Sequence, residues 1–477
     1  MIKEKISTDR VFHYFREISK IPRCSKKEEL ISQYLYDWAK SKQLEVIKDK
    51  QKNIIIFKEA SKGYENAPAI ILQGHMDMVC EKNADKVHDF ERDPISLVYK
   101  NDFIYADGTT LGADNGIAVA MILAILESNS LEHPAIEALI TTDEETGMTG
   151  VANLDGSMLK GRIMINLDSG EEGTFLAGCA GGGRLNFSTD IEYMDGQFEN
   201  AFKLVVKGLK GGHSGAEIHL DRGNANKILG RLLHNIVDLV ELVEIGGGSA
   251  DNAIPREAYA LIKTNNQDEI RKKIQDLLLE LKNEYKFSDP EIDIKIEAID
   301  SKHTKVFTQK LFEQYLNLIN LVPSGPLKIT NEIDLVILSN NPGVLKIVDK
   351  KLRLTCAPRS SIASSLEDFV AKMEQLGSVT GFKLEKSAFY PGWEYAKDSL
   401  IRDICLGAYK AIFGKEAEVK AVHAGLECGF IMEKIPGLDA ISLGPNMYNL
   451  HSPDEHLSIS STERTYELLN EIIRRIK

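Results

Sequence analysis

An apolar run from Ala69 through Ile70, Ile71 and Leu72 leads straight into Gln73-Gly74-His75-Met76-Asp77-Met78. Such a run reads as a buried strand that delivers polar side chains at its C-terminal edge. Residues two apart on a strand point the same way, so His75 and Asp77 face one side together. A carboxylate beside an imidazole is the arrangement that fixes the tautomer and aim of a metal-bound histidine. A satisfied polar pair at a strand end is the plainer alternative. Two further apolar runs close on acids: residues 135–142 on Asp143-Glu144-Glu145, and residues 162–167 on Asp168. Three acids in a row after a buried strand are electrostatically costly unless positive charge sits among them or water solvates the loop. Asp114 lies in the glycine-rich stretch 107–116, at the mouth of a helix expected over 117–127, where a carboxylate is also the ordinary N-cap. His451 stands in a loop after a strand expected at 440–443, as His75 stands after its own.

Open α/β sheets gather their sites at the carboxyl ends of strands, so these residues are expected to converge. His75, Asp114, Glu145, Asp168 and His451 supply two imidazoles and three carboxylates. One carboxylate can bridge two metals and leave each with one His and one further acid. Three carboxylates and a hydroxide nearly balance two divalent cations, which answers the cost of gathering acids in a cleft. Nitrogen and oxygen ligands without thiolate suit zinc, and cobalt or manganese also fit. Such a pair of metals could hold a hydroxide at neutral pH and polarise a carbonyl. Glu144 could then take the water's proton and pass it to a leaving amine. The residues alone do not order this set into ligands and bystanders.

The elements that must position them have α/β texture. Two helices are expected between residue 9 and about 42, with Ser25 and Glu28 resembling a capping box for the second. Strands at 44–47 and 53–57 precede the His75 strand. The glycine-dense stretch 178–184 marks a hinge or boundary. From there residues 185–388 read as an inserted α+β domain, with helices on one face of a mainly antiparallel sheet. Its strands are expected at 201–207, 258–264, 292–298, 332–339, 343–349 and 351–358, and its helices at 224–241, 268–285, 309–321 and 366–376. The first texture then returns, so residues 1–184 and 389–477 together form an α/β domain with a mixed, mainly parallel sheet between helices. Its closing helices are expected at 400–413 and 462–476.

A chain of 477 residues exceeds one ordinary core. The formal net charge of −13 argues against a nucleic-acid partner. No apolar run is long enough to span a bilayer and the start carries no apolar signal core, which points to the cytoplasm. The six cysteines, Cys24, Cys80, Cys179, Cys356, Cys405 and Cys428, form no C-x-x-C pair. Neither a thiolate zinc site nor a disulfide framework is indicated, and buried thiols are expected.

Seven stretches, in order, resemble the motifs of the M20 metallopeptidases: Gly74-His75-Met76-Asp77, Leu111-Gly112-Ala113-Asp114-Asn115-Gly116, Asp143-Glu144-Glu145-Thr146-Gly147, Asn166-Leu167-Asp168, Gly211-Gly212-His213-Ser214-Gly215, Ala424-Gly425-Leu426-Glu427 and Leu450-His451-Ser452-Pro453-Asp454-Glu455. The likeness covers essentially the whole chain and is greatest to the family's Xaa-His dipeptidase branch. It implies that Asp114 bridges two metals, with His75 and Asp168 on one and Glu145 and His451 on the other. It further implies that Asp77 orients His75, that Glu144 is the general base, and that the peptide bond between Asp114 and Asn115 is cis. The inserted domain would be a lid and the surface of a homodimer. His213 would stabilise the oxyanion, Asn252 and Arg359 would hold the substrate carboxylate or nearby backbone, and Gly425 would line the pocket. Asn252 ahead of Ile254-Pro255 could instead only shape that turn, and Arg359 could be a surface charge.

Gly212-His213-Ser214-Gly215 invites a serine-hydrolase reading, but Ala216 stands where a nucleophile elbow needs glycine. A non-catalytic peptide-binding protein would be marked by loss of a ligand or of the base, and all are present. The expected function is metal-dependent hydrolysis of short peptides, chiefly dipeptides including Xaa-His substrates such as carnosine. A broader di- or tripeptidase or an N-acyl amino-acid deacylase would use the same core.

Overall fold

The computed structural model describes residues 8–300, 304–330 and 335–477, and the chain divides into two compact units. The first comprises the chain up to Gly178, with Tyr395–Ala421 and Leu426–Lys477; the second comprises Cys179–Glu394 with Val422–Gly425.

The apolar runs that end in acids form the middle of an eight-stranded sheet in the first unit. Its spatial order is Glu45–Lys48, Ile54–Lys58, Ile136–Thr141, Ile70–His75, Ile163–Asn166, Asp439–Ser442, Thr174–Cys179 and Glu418–Val422. Ile70–His75 runs parallel to both neighbours, and Asp439–Ser442 runs parallel to Ile163–Asn166; the outer pairings whose register is resolved are antiparallel. Every residue of the three strands Ile70–His75, Ile136–Thr141 and Ile163–Asn166 is buried. Burial on both faces is why these strands read as continuous apolar runs rather than alternations. The register sets His75 opposite Thr141, and Gln73 opposite Leu139 and Asn166, so the three strands end at nearly one level. The helix Ala113–Glu127 is apolar all round and lies in the core, with Ile117 to Leu126 buried throughout. A small sheet of Leu97–Lys100, Phe103–Ala106, His456–Ser458 and Met447–Tyr448 carries the loop that contains His451.

The second unit is built on a large antiparallel sheet: Asp293–Ile299, Asn200–Lys207, Ala258–Thr264, Glu241–Gly247, Leu335–Val348, Lys351–Ser360, Gly181–Asp190 and Lys383–Tyr390, with Gly325–Thr330 paired to Leu335–Val348. Its core gathers residues of the helices Ala225–Asn235, Gln267–Glu284, Gln309–Leu321 and Ala363–Thr380 against this sheet.

Several expectations change. The helix expected over 224–241 ends at Asn235, and a strand already begins at Glu241. The two strands expected at 332–339 and 343–349 are one, Leu335–Val348, in which a register shift between Pro342 and Val344 absorbs the proline; positions 332–334 lie outside the described residues. Gly181–Gly183 belong to a strand rather than a hinge. Ser25 and Glu28 form no capping box: the helix Glu29–Ser41 has no side-chain cap. Ser25 Oγ donates to Asp77 Oδ2 at 2.8 Å, and Glu28 Oε1 accepts from the amides of Lys26 and Asp143. Cys24 and Cys80 are joined as a disulfide, against the expectation of six thiols, while Cys179, Cys356, Cys405 and Cys428 are buried. The segment after Ile21 runs beside Met78 and brings the two together, a tertiary meeting that Cys spacing does not encode.

Candidate active site

The ends of the three central strands bring the first group together. His75, at the end of its strand, is 1% exposed, and its Nε2 faces Asp114 Oδ1 at 3.2 Å and Asp168 Oδ1 at 3.5 Å. Its Nδ1 lies 3.4 Å from Asp77 Oδ1 and 3.2 Å from the Asp77 carbonyl. Asp77 is buried, and its carboxylate also accepts from the Ser25 hydroxyl and from the amides of Glu144 and Glu145. Burial works to raise the Asp77 pKa, but these bonds and His75 hold it below the usual range.

Asp114 opens the core helix without capping it; the N-cap position is Gly112, and no side-chain cap is made. Its carboxylate points at two imidazoles instead: Oδ1 at His75 and Oδ2 at His451 Nε2, 3.5 Å away. His451 Nε2 also lies 3.0 Å from Glu145 Oε2. The peptide bond between Asp114 and Asn115 is cis. Asn115 holds the neighbourhood through its side chain, accepting from the His75 amide at 3.2 Å and donating to the Leu167 carbonyl at 2.9 Å.

The electrostatics record a crowd of buried acids. Burial raises Glu144 well above its ordinary value, with Asp168, Glu427 and Glu145 adding to the rise. Burial likewise pushes Asp168 up to about 7. His451 is raised to about 10 by its bonds to Asp114 and Glu145. Burial acts to lower His75, yet Asp168 and the bonded carboxylates keep it well above its usual value. Two carboxyls and two imidazoles raised together mark a site short of positive charge.

The donor set fits two divalent cations. His75, Asp114 and Asp168 form one group whose ligand atoms lie within 4.8 Å of one another, and Asp114, Glu145 and His451 form another; His75, Glu144 and Glu145 also meet this limit. Glu145 Oε1 is buried with no hydrogen-bond partner, as an oxygen reserved for a cation would be.

The sequence reading missed a supporting tier. Glu427 is buried and accepts from Gln73 Nε2 and Thr141 Oγ1, both at 2.6 Å, and burial pushes its carboxyl up to about 7. Asn166 Nδ2 donates to Gln73 Oε1, and Asn166 Oδ1 receives the Asp168 amide, so this tier reaches a site residue. Arg23 is buried and donates to the carbonyls of Met76, Asp77 and Gly112. The one available signal was spacing: Gln73 shares the strand face of His75.

The remaining expected residues belong to the second unit. His213 Nδ1 accepts from the amides of Gly215 and Ala216, and burial with the Arg359 charge lowers its pKa. Arg359 is buried rather than a surface charge, and its Nη1 donates to the Tyr390 hydroxyl at 2.8 Å. Gly425 packs on the same Tyr390, whose ring a Cβ there would meet at 2.7 Å. The Asn252 carbonyl accepts from the Ser214 amide. A cavity of about 880 Å³ is lined by His213 and Asn252 together with Lys203, Lys210, Arg256 and Glu257.

Comparison with known proteins follows this geometry. The family model for peptidase family M20/M25/M40 matches residues 71–475. The chain is 37% identical over 479 residues to the cytosol non-specific dipeptidase of Escherichia coli (strain K12), with 99% of this chain and 98% of that protein covered. It superposes on the aminoacylhistidine dipeptidase from Vibrio alginolyticus with a TM-score of 0.93 at 37% identity, covering 99% and 97% of the two chains. Aminopeptidase PepT from Bacillus cereus ATCC 10987 gives a TM-score of 0.58 at 17% identity over 99% of each chain, a likeness of fold alone.

Proposed function

The chain belongs to peptidase family M20/M25/M40, and from that premise we propose that it hydrolyses dipeptides, Xaa-His substrates such as carnosine among them, with two divalent metal ions. The observation that carries this reading is the aim of Asp114: one oxygen faces His75 beside Asp168, the other faces His451 beside Glu145. A carboxylate so aimed would serve both half-sites. His75 and Asp168 would hold one ion, Glu145 and His451 the other, zinc being the natural choice for nitrogen and oxygen donors. When bound, such ions polarise a peptide carbonyl and lower the pKa of water.

The protein's own residues do the rest. Asp77 fixes the His75 ring so that Nε2 faces the site. Glu144, adjacent to Glu145 and raised by burial, accepts a proton from the attacking water and delivers it to the amine nitrogen as the C–N bond breaks. His213, Asn252, Arg359 and Gly425 are assigned to the substrate, the first to the developing oxyanion and the next two to its carboxylate. The second unit is assigned the part of lid and homodimer surface, and the cytoplasm is the proposed compartment. None of the helices among the described residues is long and apolar enough to cross a membrane.

The test is release of histidine from β-Ala-His and of amino acids from a dipeptide panel, for wild type and Glu144→Gln, with added zinc and after chelation. Cleavage should vanish with the metal and fall about 10²–10⁴-fold in the variant. The name of the Escherichia coli relative favours a broad panel result over strict histidine preference. Failure of the fully metallated wild type to cleave any dipeptide overturns the reading and leaves the deacylase reaction.

A further inference from the structure

Glu455 is an acid with no part in the chemistry above, and it is spent in an unusual way. It is 2% exposed, and its carboxylate collects four consecutive backbone amides: Oε2 accepts from Leu111 at 2.7 Å and Gly112 at 2.9 Å, Oε1 from Ala113 at 2.8 Å and Asp114 at 3.3 Å. Amides can converge in this way where a positive φ turns the chain, and Gly112 has φ +67°. Arg23 closes the other side by donating to the Gly112 carbonyl; burial lowers its pKa to about 10 against the pull of Glu455, so it stays charged at neutral pH.

The same Glu455 ends the loop that carries His451. Its amide donates to the Ser452 carbonyl at 3.0 Å, and the Ser452 hydroxyl donates to the Asn449 carbonyl at 2.8 Å. Asn449 and His451 both have positive φ, at 51° and 62°, a conformation that costs a non-glycine residue about 1 kcal/mol and needs outside support. The His451 side chain is 50% exposed, so packing does not fix it. The His75 side has separate ties, through Asn115 to the His75 amide and the Leu167 carbonyl.

We propose that Glu455 is a positioning residue for one half of the metal centre: by clamping the amides of Leu111–Asp114 to the His451 loop, it sets His451 against Asp114 and so governs the ion at His451 and Glu145, leaving the ion at His75 and Asp168 largely to other supports. This rests on the two-metal reading given above. A general brace for the helix start would instead lower stability without choosing between ions.

Cobalt titration followed by absorption spectra, with bound metal counted by elemental analysis, separates these cases. Wild type should take two equivalents. Glu455→Gln, which turns an amide group toward the cluster of N–H donors, should bind the second ion about 10–100-fold more weakly, the scale for loss of an outer-shell partner. Its one-cobalt spectrum should superpose on that of His451→Ala and not on that of His75→Ala. Glu455→Asp keeps the charge but withdraws the carboxylate, and carries the same test should the Gln variant not fold. Two ions bound at wild-type strength in a folded Glu455 variant, or both weakened equally, overturns the inference while leaving the two-metal reading intact. A wild type that binds no pair of ions overturns both.

Discussion

The two halves of the proposed metal centre offer the same kinds of donor and rest on different foundations. His75 ends a fully buried strand at the middle of the sheet, its ring backed by Asp77 and its amide held by Asn115. Asp77 is itself bonded by Ser25 and by two amides of the acidic loop. His451 sits half exposed in a loop with positive φ on both sides of Leu450, anchored by Glu455 and a small sheet. One half is therefore held by the sheet itself, and the other by a tethered loop. Identical ligand chemistry can be supplied by rigid sheet or by tethered loop, and the difference should appear in stability more than in turnover.

The largest effect follows from removing either imidazole. His75→Ala and His451→Ala should each reduce dipeptide turnover about 10³-fold or more, since each half-site is needed to stabilise the transition state. Their melting behaviour should part company. His75→Ala empties a buried position and strips Asp77 of a partner, at a cost of about 1–3 kcal/mol. His451→Ala removes a half-exposed side chain whose bonds to Asp114 and Glu145 are partly solvated, and should cost less, no more than about 1 kcal/mol. Equal destabilisation by the two variants in thermal or urea melts would erase the distinction between the halves.

A subtler change sharpens it. A Cβ on Gly74 would come within 2.5 Å of Asn115 Oδ1 and 2.9 Å of the Ala118 Cβ. Gly74→Ala must therefore push the Asn115 side chain away from the His75 amide and the Leu167 carbonyl. The ion at His75 and Asp168 should weaken about 10–100-fold in a chelator competition, the mirror image of the Glu455 variants. Weakening at the His451 side instead would show that the halves share one support.

The same contrast explains what the sequence made legible. His75, Asp168 and the pair Glu144–Glu145 stand out because each follows an apolar run that only a doubly covered strand produces, a local signal. Asp114 is legible through its glycine-rich stretch, His451 through its loop after a strand, and both through family motifs. Their supports were not, because the bonds go to main-chain groups far along the chain: Glu455 is 344 residues from Leu111 and Arg23 is 89 from Gly112. No periodicity encodes a carbonyl waiting for a guanidinium. Local rules also lost to tertiary demand, as Ser25 and Glu28 show: spaced like a capping box, both were drawn to the segments around Asp77 and Asp143. In the second unit residues 340–342 read as a break between strands, whereas a bulge lets one strand run through them.

The smallest effect on turnover is expected at the Cys24–Cys80 disulfide, which lies against the better-built half. The bridge closes a loop with a sequence separation of 56. Loop entropy of that length makes it worth about 4 kcal/mol of stability, less any residual structure in the unfolded chain. The hydrogen bonds that aim Asp77 do not pass through it: they come from Ser25, His75 and the amides of Glu144 and Glu145. In a cytoplasm that keeps thiols reduced, those bonds would have to hold Asp77 unaided. Cys24→Ser should accordingly melt earlier yet keep kcat/KM within about threefold of wild type, a difference in barrier of well under 1 kcal/mol. A loss of activity on the scale of Gly74→Ala would mean that the cross-link, rather than the polar network, positions the carboxylate behind His75, and the buried half would then owe its order to covalent tethering as the exposed half owes its order to Glu455.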